Sequence, residues 1–296
     1  MFSKRAGLWL GLIATLGLLS LGSSCSNKGG GDESAGTGTE SGGAVYKSNN
    51  DEGTISGTVA FTGTAPENPK IDTSADAQCA SKNPNLTAET WTVKDGKVAN
   101  TFVYIKDGTL ADGKKIGDLT GWPNMPSSAT LDQNGCHYKP HVMGVVAKEE
   151  INITNSDPTT HNIHFTPAKN PDWNQSQPNG AAPMKHSLNT AEVMVPVKCN
   201  QHPWMKAYIG VMKHPFFAVS AENGSFTISG VPPGKYTVVA WHEAAAGPGT
   251  EKTMEVTVPA KGSATADFSF GASAGLQGQP SSLPMLAAIE FPMLHK

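Results

Sequence analysis

A thiol, an imidazole and a thioether lie together in one short stretch, Val197-Lys198-Cys199-Asn200-Gln201-His202-Pro203-Trp204-Met205. A second stretch upstream, Asp157-Pro158-Thr159-Thr160-His161-Asn162-Ile163-His164, brings another imidazole just after an apolar, strand-like run. One cysteine, two histidines and a weak axial methionine are the ligand set of an electron-transfer copper site. The sequence therefore predicts one copper ion held by His161, Cys199, His202 and Met205.

Alternative readings of these residues remain open at this point. His164 competes with His161, but residues three apart on a strand point to opposite faces, so normally only one of them faces the loop. We prefer His161 because Asn162 follows it. Zinc normally takes four strong nitrogen, sulfur or oxygen ligands, and a methionine is a poor one. A catalytic Cys199 would need a histidine base with a third, orienting group. The remaining alternative is a buried, unreactive Cys199 with histidines that do not bind a metal.

The histidines outside these two stretches show no recurring spacing and are expected to be exposed or hydrogen-bonded in the core: His137, His141, His186, His214 and His242.

Composition favours an all-β protein. The 296 residues include 32 glycines and 21 prolines, and the chain carries many short runs of Val, Ile, Thr and Phe. This length allows two modest domains. Charged residues make up 16% and the net charge is −3, so no basic field for nucleic acid is present.

The four cysteines have separate predicted roles. Cys25 ends the leader and Cys199 lies in the predicted metal loop, which leaves Cys79 and Cys136. An exported chain meets an oxidising compartment, so we expect these two to form a disulfide. Two unpaired thiols are the alternative.

Residues 1–25 read as a secretory signal, because Lys4 and Arg5 precede an apolar run that ends in small residues. The small residues running into Cys25 resemble the box of bacterial lipoproteins. That resemblance implies a lipidated Cys25 that anchors the chain to a membrane, while cleavage by an ordinary signal peptidase is the alternative. Residues 26–53 have almost nothing to bury and are predicted to be a disordered tether. Residues 271–296 return to low complexity and are predicted to be a loosely packed tail.

The two ligand stretches carry a family resemblance. Asn155-Ser156-Asp157, His161-Asn162 and Cys199-x-x-His202-x-x-Met205 resemble the cupredoxins, the plastocyanin and amicyanin family. The resemblance implies a Greek-key β-sandwich over about residues 119–218, with His161, Cys199, His202 and Met205 as ligands. It also implies that the Asn162 side chain holds the two ligand segments together. Apolar packing by Pro203 and Trp204 is expected to exclude water from the site.

A second resemblance concerns the sequence on either side of this region. Residues 221–242, which include Gly230-Val231-Pro232-Pro233-Gly234, resemble the carboxypeptidase regulatory-like modules, which are small transthyretin-like sandwiches. The opening strands of such a module are found before the copper region instead. We therefore predict one sandwich made of residues 54–112 and 219–270, with the cupredoxin inserted into it.

The predicted ligand set suggests a function. One cysteine, two histidines and a distant methionine leave copper no good open position, so an enzyme is not expected. The expectation is an electron carrier in the cell envelope that cycles between Cu(I) and Cu(II), held to a membrane at Cys25 and served by a redox partner protein. Copper delivery or storage is one alternative, and a non-redox β-sandwich binding module is another.

Overall fold

The computed structural model describes residues 43–122, 125–126, 128–244 and 251–271. The predicted signal peptide with Cys25, most of the predicted tether and the tail beyond residue 271 lie outside this part of the chain. Within it, no helix has the length and apolar character needed to cross a membrane. The predicted all-β fold class is confirmed, because strands dominate and form packed sheets.

The described residues form short elements along the chain. The first part contributes β1 (Ala44–Val45), β2 (Gly53–Thr62), α1 (Ala77–Lys82), β3 (Val93–Lys94), β4 (Lys97–Val98), β5 (Phe102–Leu110), a 3-10 turn at Ile116–Asp118 and β6 (Leu119–Thr120). The middle part contributes β7 (Ser128–Gln133), β8 (Tyr138–Lys139), β9 (Val142–Val146), β10 (Glu150–Asn155), β11 (His161–Phe165), β12 (Trp173–Gln177), β13 (Met184–Ser187), β14 (Glu192–Lys198) and β15 (Lys206–Met212). The last part contributes β16 (Phe217–Val219), β17 (Ser225–Val231), β18 (Gly234–Trp241), β19 (Glu251–Val258), β20 (Ser263–Thr265) and β21 (Phe268–Gly271).

Strands β7 to β15 form two sheets that we call the inner sandwich. One sheet has the order β13-β10-β7-β8 and the other β12-β11-β14-β15-β9. Both contain parallel as well as antiparallel neighbours: β10 is parallel to β7, and β15 is parallel to β9. Side chains of the two sheets alternate into a common core that includes Ile151, Ile163, Val197 and Ile209. This core also contains Cys199 and Met205.

Strands from both ends of the chain form the outer sandwich. One sheet has the order β16-β5-β18-β19, and the other β17-β2-β4-β3 with β20 and β21 also paired to β2. Strand β5 therefore pairs with β16 and β18, which follow it in sequence only after the whole inner sandwich. Aromatic and branched side chains of these strands form a second core, which includes Ile55, Val238 and Phe270.

The two sandwiches pack against each other through a pair of glycines. Gly210 of β15 lies directly opposite Gly144 of β9, and a methyl group on Gly210 would lie 2.3 Å from the ring of Phe102 in β5. The Gly144 position is closed in the same way by Phe217. Because period-two alternation sends Ile209 and Val211 into the inner core, Gly210 faces the outer sandwich. The bare backbone there makes room for the fully buried Phe102.

Order begins earlier in the chain than composition predicts. Residues 43–53 were assigned to the tether, but β1 pairs with β6 and Tyr46 stacks on Trp122 with ring centroids 4.9 Å apart. The Tyr46 hydroxyl also donates to Glu52 at 2.7 Å. The strand pair, the aromatic stack and the hydrogen bond together fix this short segment, and average composition does not reveal them.

Candidate metal centre

The loop with the predicted ligands closes a hairpin. Strands β14 and β15 pair antiparallel up to Lys198 and Lys206, so residues 199–205 connect their ends. Within the loop, the Cys199 N–H donates to the Met205 carbonyl at 3.3 Å, and the Met205 N–H donates to the His202 carbonyl at 2.9 Å. These bonds hold the three side chains at a fixed spacing, as a preorganised site requires.

His161 comes from the neighbouring strand. Strand β11 pairs with β14 at Phe165 and Val197. This register places His161, the first residue of β11, beside the loop. Asn162 links the two segments: its Oδ1 accepts the Asn200 N–H at 2.6 Å and the Cys199 thiol at 3.3 Å. The Asn162 side chain therefore connects β11 to the loop after β14.

Three of the predicted ligands meet at one point. His161 Nδ1 lies 2.9 Å from His202 Nδ1, and Cys199 Sγ lies 3.6 Å from His202 Nδ1. The three donor atoms all lie within 4.8 Å of one another. Two donors bonded to one metal ion at 2.0 to 2.3 Å lie no more than about 4.4 Å apart, so the two measured separations suit a single ion. Met205 is fully buried in the same core cluster as Cys199.

Each histidine is held from behind by a carboxylate. His161 Nε2 lies 3.0 Å from Asp157 Oδ2, and His202 Nε2 lies 3.1 Å from Asp76 Oδ2. A proton on Nε2 that is donated to a carboxylate leaves the Nδ1 lone pair of each ring facing the other donors. The two carboxylates thus orient both rings so that the Nδ1 atom of each faces the same point.

Hydrogen bonds within the cluster favour a thiolate at Cys199. Burial by itself raises the pKa of Cys199, but when the two rings also carry a proton on Nδ1, the hydrogen bonds of His161 and His202 to the sulfur outweigh burial and lower that pKa to about 6. Burial lowers the pKa of His161, whereas its bonds to Asp157 and Cys199 raise it more, and the net direction is upward. The bond to Cys199 is the largest cause of the raised pKa of His202. Because a thiolate is the form that binds metal, the site is ready for a cation.

The donor set fits copper. A thiolate and a thioether are soft donors that select copper, and the two imidazoles suit it as well. The carboxylates of Asp76 and Asp157 contact the far side of the rings, so they do not supply hard oxygen ligands at the point where the other donors meet. Two further groups of three side chains also bring their donor atoms within 4.8 Å of one another. They are Asp76 with Cys79 and His202, and Cys136 with Asp157 and His161. Both of these include a cysteine that is bonded in a disulfide.

The remaining predicted residues have the following positions. The disulfide between Cys79 and Cys136 is confirmed. His164 does not join the cluster, because its Nδ1 faces Asn200 Oδ1 at 3.1 Å and its Nε2 faces Asp172 at 2.9 Å. Trp204 is half-buried and donates its Nε1–H to the Cys136 carbonyl at 3.1 Å, whereas Pro203 is exposed.

Sequence reasoning missed the two carboxylates. Asp157 precedes His161 by four residues, and that spacing could have drawn attention to it. Asp76 lies 126 residues from His202 in a segment without strand periodicity, and no local signal marks it.

The histidines without recurring spacing are largely satisfied in the fold, as expected. His214 and His242 are buried among aromatic side chains. His141 bridges to Glu243 at the end of β18, close to His137 and Glu89. His186 stacks on Trp173.

Comparisons with known proteins place the chain as follows. The sequence model of the family described as Polysaccharide lyase family 4, domain II, matches residues 193–266, less than half of the chain. This match crosses residue 219, where the sequence predicts a boundary. The matched region includes residues 221–242, whose sequence resembles the carboxypeptidase regulatory-like modules. The comparisons give no support for that resemblance. A comparison with curated proteins returns no match.

Solved structures with local similarity include a copper-containing nitrite reductase, a purple cupredoxin and an amicyanin mutant. A copper-containing nitrite reductase from Thermus scotoductus SA-01 is 17% identical, with a TM-score of 0.28. The aligned part makes up 30% of this chain and only 23% of the reductase chain. A purple cupredoxin from Nitrosopumilus maritimus is 18% identical over 28% of this chain and 98% of its own, with a TM-score of 0.25. A proline-to-alanine mutant of amicyanin in its oxidized state is 17% identical over 29% of this chain and 82% of its own, with a TM-score of 0.25. Because these TM-scores are low, the proposed role of the site rests on the positions of its side chains in this chain alone.

Proposed function

We propose that this chain is a type 1 copper protein that carries electrons by cycling between Cu(I) and Cu(II). The observation that carries the proposal is the convergence of His161 Nδ1, Cys199 Sγ and His202 Nδ1 beside the buried Met205. When bound, copper would supply a one-electron couple. The protein would supply a fixed donor set, acceptable to both oxidation states, in a site that water does not enter.

Burial favours electron transfer over substrate chemistry. His161 and Met205 are fully buried, and Cys199 and His202 expose only 2% and 4% of their surface. A substrate would need an open coordination position that it could reach. We therefore propose a carrier rather than an enzyme, with a second protein as its redox partner. The same burial disfavours copper delivery, which requires a ligand that a recipient can approach.

The proposed location follows from the sequence. A lipid-anchored Cys25 and the spacer after it would hold the folded part at a membrane surface in the cell envelope. Mass spectrometry of the purified chain tests this. The expected result is an N-terminal Cys25 that carries acyl chains, and an N-terminus at another residue without lipid would contradict the anchor.

The metal proposal is tested by spectroscopy on the full chain loaded with Cu(II). We expect an intense thiolate-to-copper visible band with narrow copper hyperfine splitting, and loss of both in Cys199→Ser. His161→Ala should lose them too, whereas His164→Ala should retain them, because His164 lies outside the donor cluster. Copper that binds without the band would favour delivery or storage. A chain that binds no copper would favour a non-redox β-sandwich module.

A further inference from the structure

A segment from the outer sandwich covers the predicted metal site. Residues 63–92 connect β2 to β3, and the middle of this segment, residues 71–86, packs on the ligand side of the inner sandwich. The disulfide joins Cys79 of α1 to Cys136, and the Asn83 side chain donates to the Gly135 carbonyl at 3.4 Å. Ile71 and Leu86 pack with Trp204 around this disulfide. The segment is therefore fixed to the loop that follows β7, as well as to the metal loop.

Asp76, at the start of α1, is the point where this segment contacts a predicted ligand. One carboxylate oxygen, Oδ1, accepts the N–H groups of Gln78 at 2.8 Å and Cys79 at 3.0 Å and so caps the helix. The other oxygen, Oδ2, accepts the Thr159 hydroxyl at 2.8 Å and the His202 Nε2–H at 3.1 Å. Because three other donors fix the carboxylate, its position relative to His202 is set by the fold.

The same helix also supports the carboxylate behind His161. Lys82, the last residue of α1, places Nζ 2.7 Å from Asp157 Oδ1. The backbone N–H groups of Gly135 and Cys136 each donate to Asp157 at 2.7 Å. The two half-cystines thus each donate a backbone N–H to one of the two carboxylates, Cys79 to Asp76 and Cys136 to Asp157. One disulfide holds together the supports of both histidines.

We propose that Asp76 is a positioning residue for the copper ion, acting through His202. Its carboxylate keeps the proton of His202 on Nε2, aims the Nδ1 lone pair at the metal and makes the imidazole a stronger donor. A stronger donor with a nearby negative charge favours the ion of higher charge, so Asp76 stabilises Cu(II) more than Cu(I). This inference rests on the proposed copper function and adds to it a residue that the four-ligand motif does not contain.

The expected size follows from other metal sites. Removing an outer partner of a ligand histidine typically lowers metal affinity about 10- to 100-fold. If Cu(II) affinity falls tenfold and Cu(I) affinity is unchanged, the reduction potential rises by about 59 mV. The sign is as informative as the size, because simple loosening of the site would weaken both ions.

The test is Asp76→Asn in the full chain, because asparagine is as good a helix cap as aspartate. The asparagine Oδ1 can keep the Gln78 and Cys79 bonds, whereas the amide nitrogen that replaces Oδ2 cannot accept the His202 proton. Asp72→Asn is the matched control: it removes the same charge from an exposed residue of the same segment, whose carboxylate bonds only Ser74. Circular dichroism and a free-thiol count establish that both variants keep the fold and the disulfide.

Cu(II) affinity by chelator competition and reduction potential by voltammetry are the readouts. We expect Asp76→Asn to bind Cu(II) at least tenfold more weakly and to show a raised potential, while Asp72→Asn matches wild type. A folded Asp76→Asn with wild-type affinity and potential would overturn the proposal, as would equal weakening of Cu(I) and Cu(II). If wild type itself lacks the thiolate-to-copper band, the proposed function fails instead, and the two failures remain distinguishable.

Discussion

Two buried histidines outside the metal centre predict how stability depends on pH. His242, after β18, stacks on Trp91 with ring centroids 4.2 Å apart, and its Nδ1 accepts the Ala244 N–H at 3.2 Å. His214, after β15, packs against Trp122 and accepts the Phe216 N–H at 3.4 Å. The residues are 1% and 4% exposed, respectively. Burial disfavours the imidazolium and lowers the pKa of each to about 4.

The sign follows from which state binds protons. Between pH 6.5, the ordinary histidine pKa, and the folded value of about 4, the unfolded chain binds a proton that the folded chain does not. The folded state is therefore fully favoured above pH 6.5 and loses stability as the pH falls towards 4. At pH 5 the loss amounts to about 2 kcal/mol for each histidine. The lowered pKa of His137 and of His186 reduces stability over the same range. The raised pKa of His141 costs stability as the pH rises, and the lowered pKa of Asp157 costs stability below about pH 4. The difference between wild type and a variant of one histidine therefore measures the share of that histidine alone.

Urea unfolding at pH values from 7.5 to 5 measures this for wild type and for two substitutions of His242. His242→Phe keeps the ring stack, and His242→Asn keeps a polar acceptor, but neither titrates. Both should lose about 2 kcal/mol less stability than wild type over this range. Their stability at pH 7.5 will differ for packing reasons that do not depend on pH. If both variants keep the full wild-type slope, the buried neutral histidine is not its cause.

Three further predictions concern the disulfide, the contact between the sandwiches and the sulfur of Met205. Replacing Cys79 and Cys136 by serine opens a loop with a sequence separation of 57 and should lower the free energy of unfolding by about 4 kcal/mol, measured in urea; a loss under about 1 kcal/mol would contradict this. Gly210→Ala forces a methyl group against Phe102 and should cost about 1–3 kcal/mol, partly restored by adding Phe102→Leu. A single variant as stable as wild type would show that the ring moves freely. Met205→Leu keeps the apolar volume, so stability should change by less than about 1.5 kcal/mol. The copper reduction potential should rise, because a weak donor to Cu(II) is lost. An unchanged potential would place Met205 outside the copper site.

The parts of the site that sequence predicts are those encoded by local spacing. Cys199, His202 and Met205 fall in one loop, and the apolar runs on both sides predict the strands that close it. The alternation of strand residues allows only one of His161 and His164 to face the loop, and Asn162 directly after His161 favours that residue. The two side chains do have different partners. The Cys79–Cys136 disulfide follows from counting the cysteines of a chain that the sequence predicts to be exported.

The missed parts depend on contacts between segments far apart in the chain. Asp76 and Lys82 lie in a loop-rich segment whose composition predicts only turns, and their role appears only when α1 packs on the inner sandwich. Gly144 and Gly210 look like ordinary strand glycines until Phe102 of the other sandwich fills the space above them. A local sequence pattern carries no information about residues that are distant in the chain and become neighbours only in the folded protein.

These long-range contacts change what the predicted metal site consists of. The inner sandwich contains the four predicted ligands and Asp157, but Asp76, Lys82 and Cys79 come from a segment between two strands of the outer sandwich. Since ligand orientation depends on the groups behind the ligands as well as on the ligands themselves, the outer sandwich contributes to the proposed metal site through this segment. It follows that the outer sandwich is more than a support for the inner one. Its β2–β3 connection supplies Asp76, the carboxylate that contacts His202, while Asp157 of the inner sandwich contacts His161.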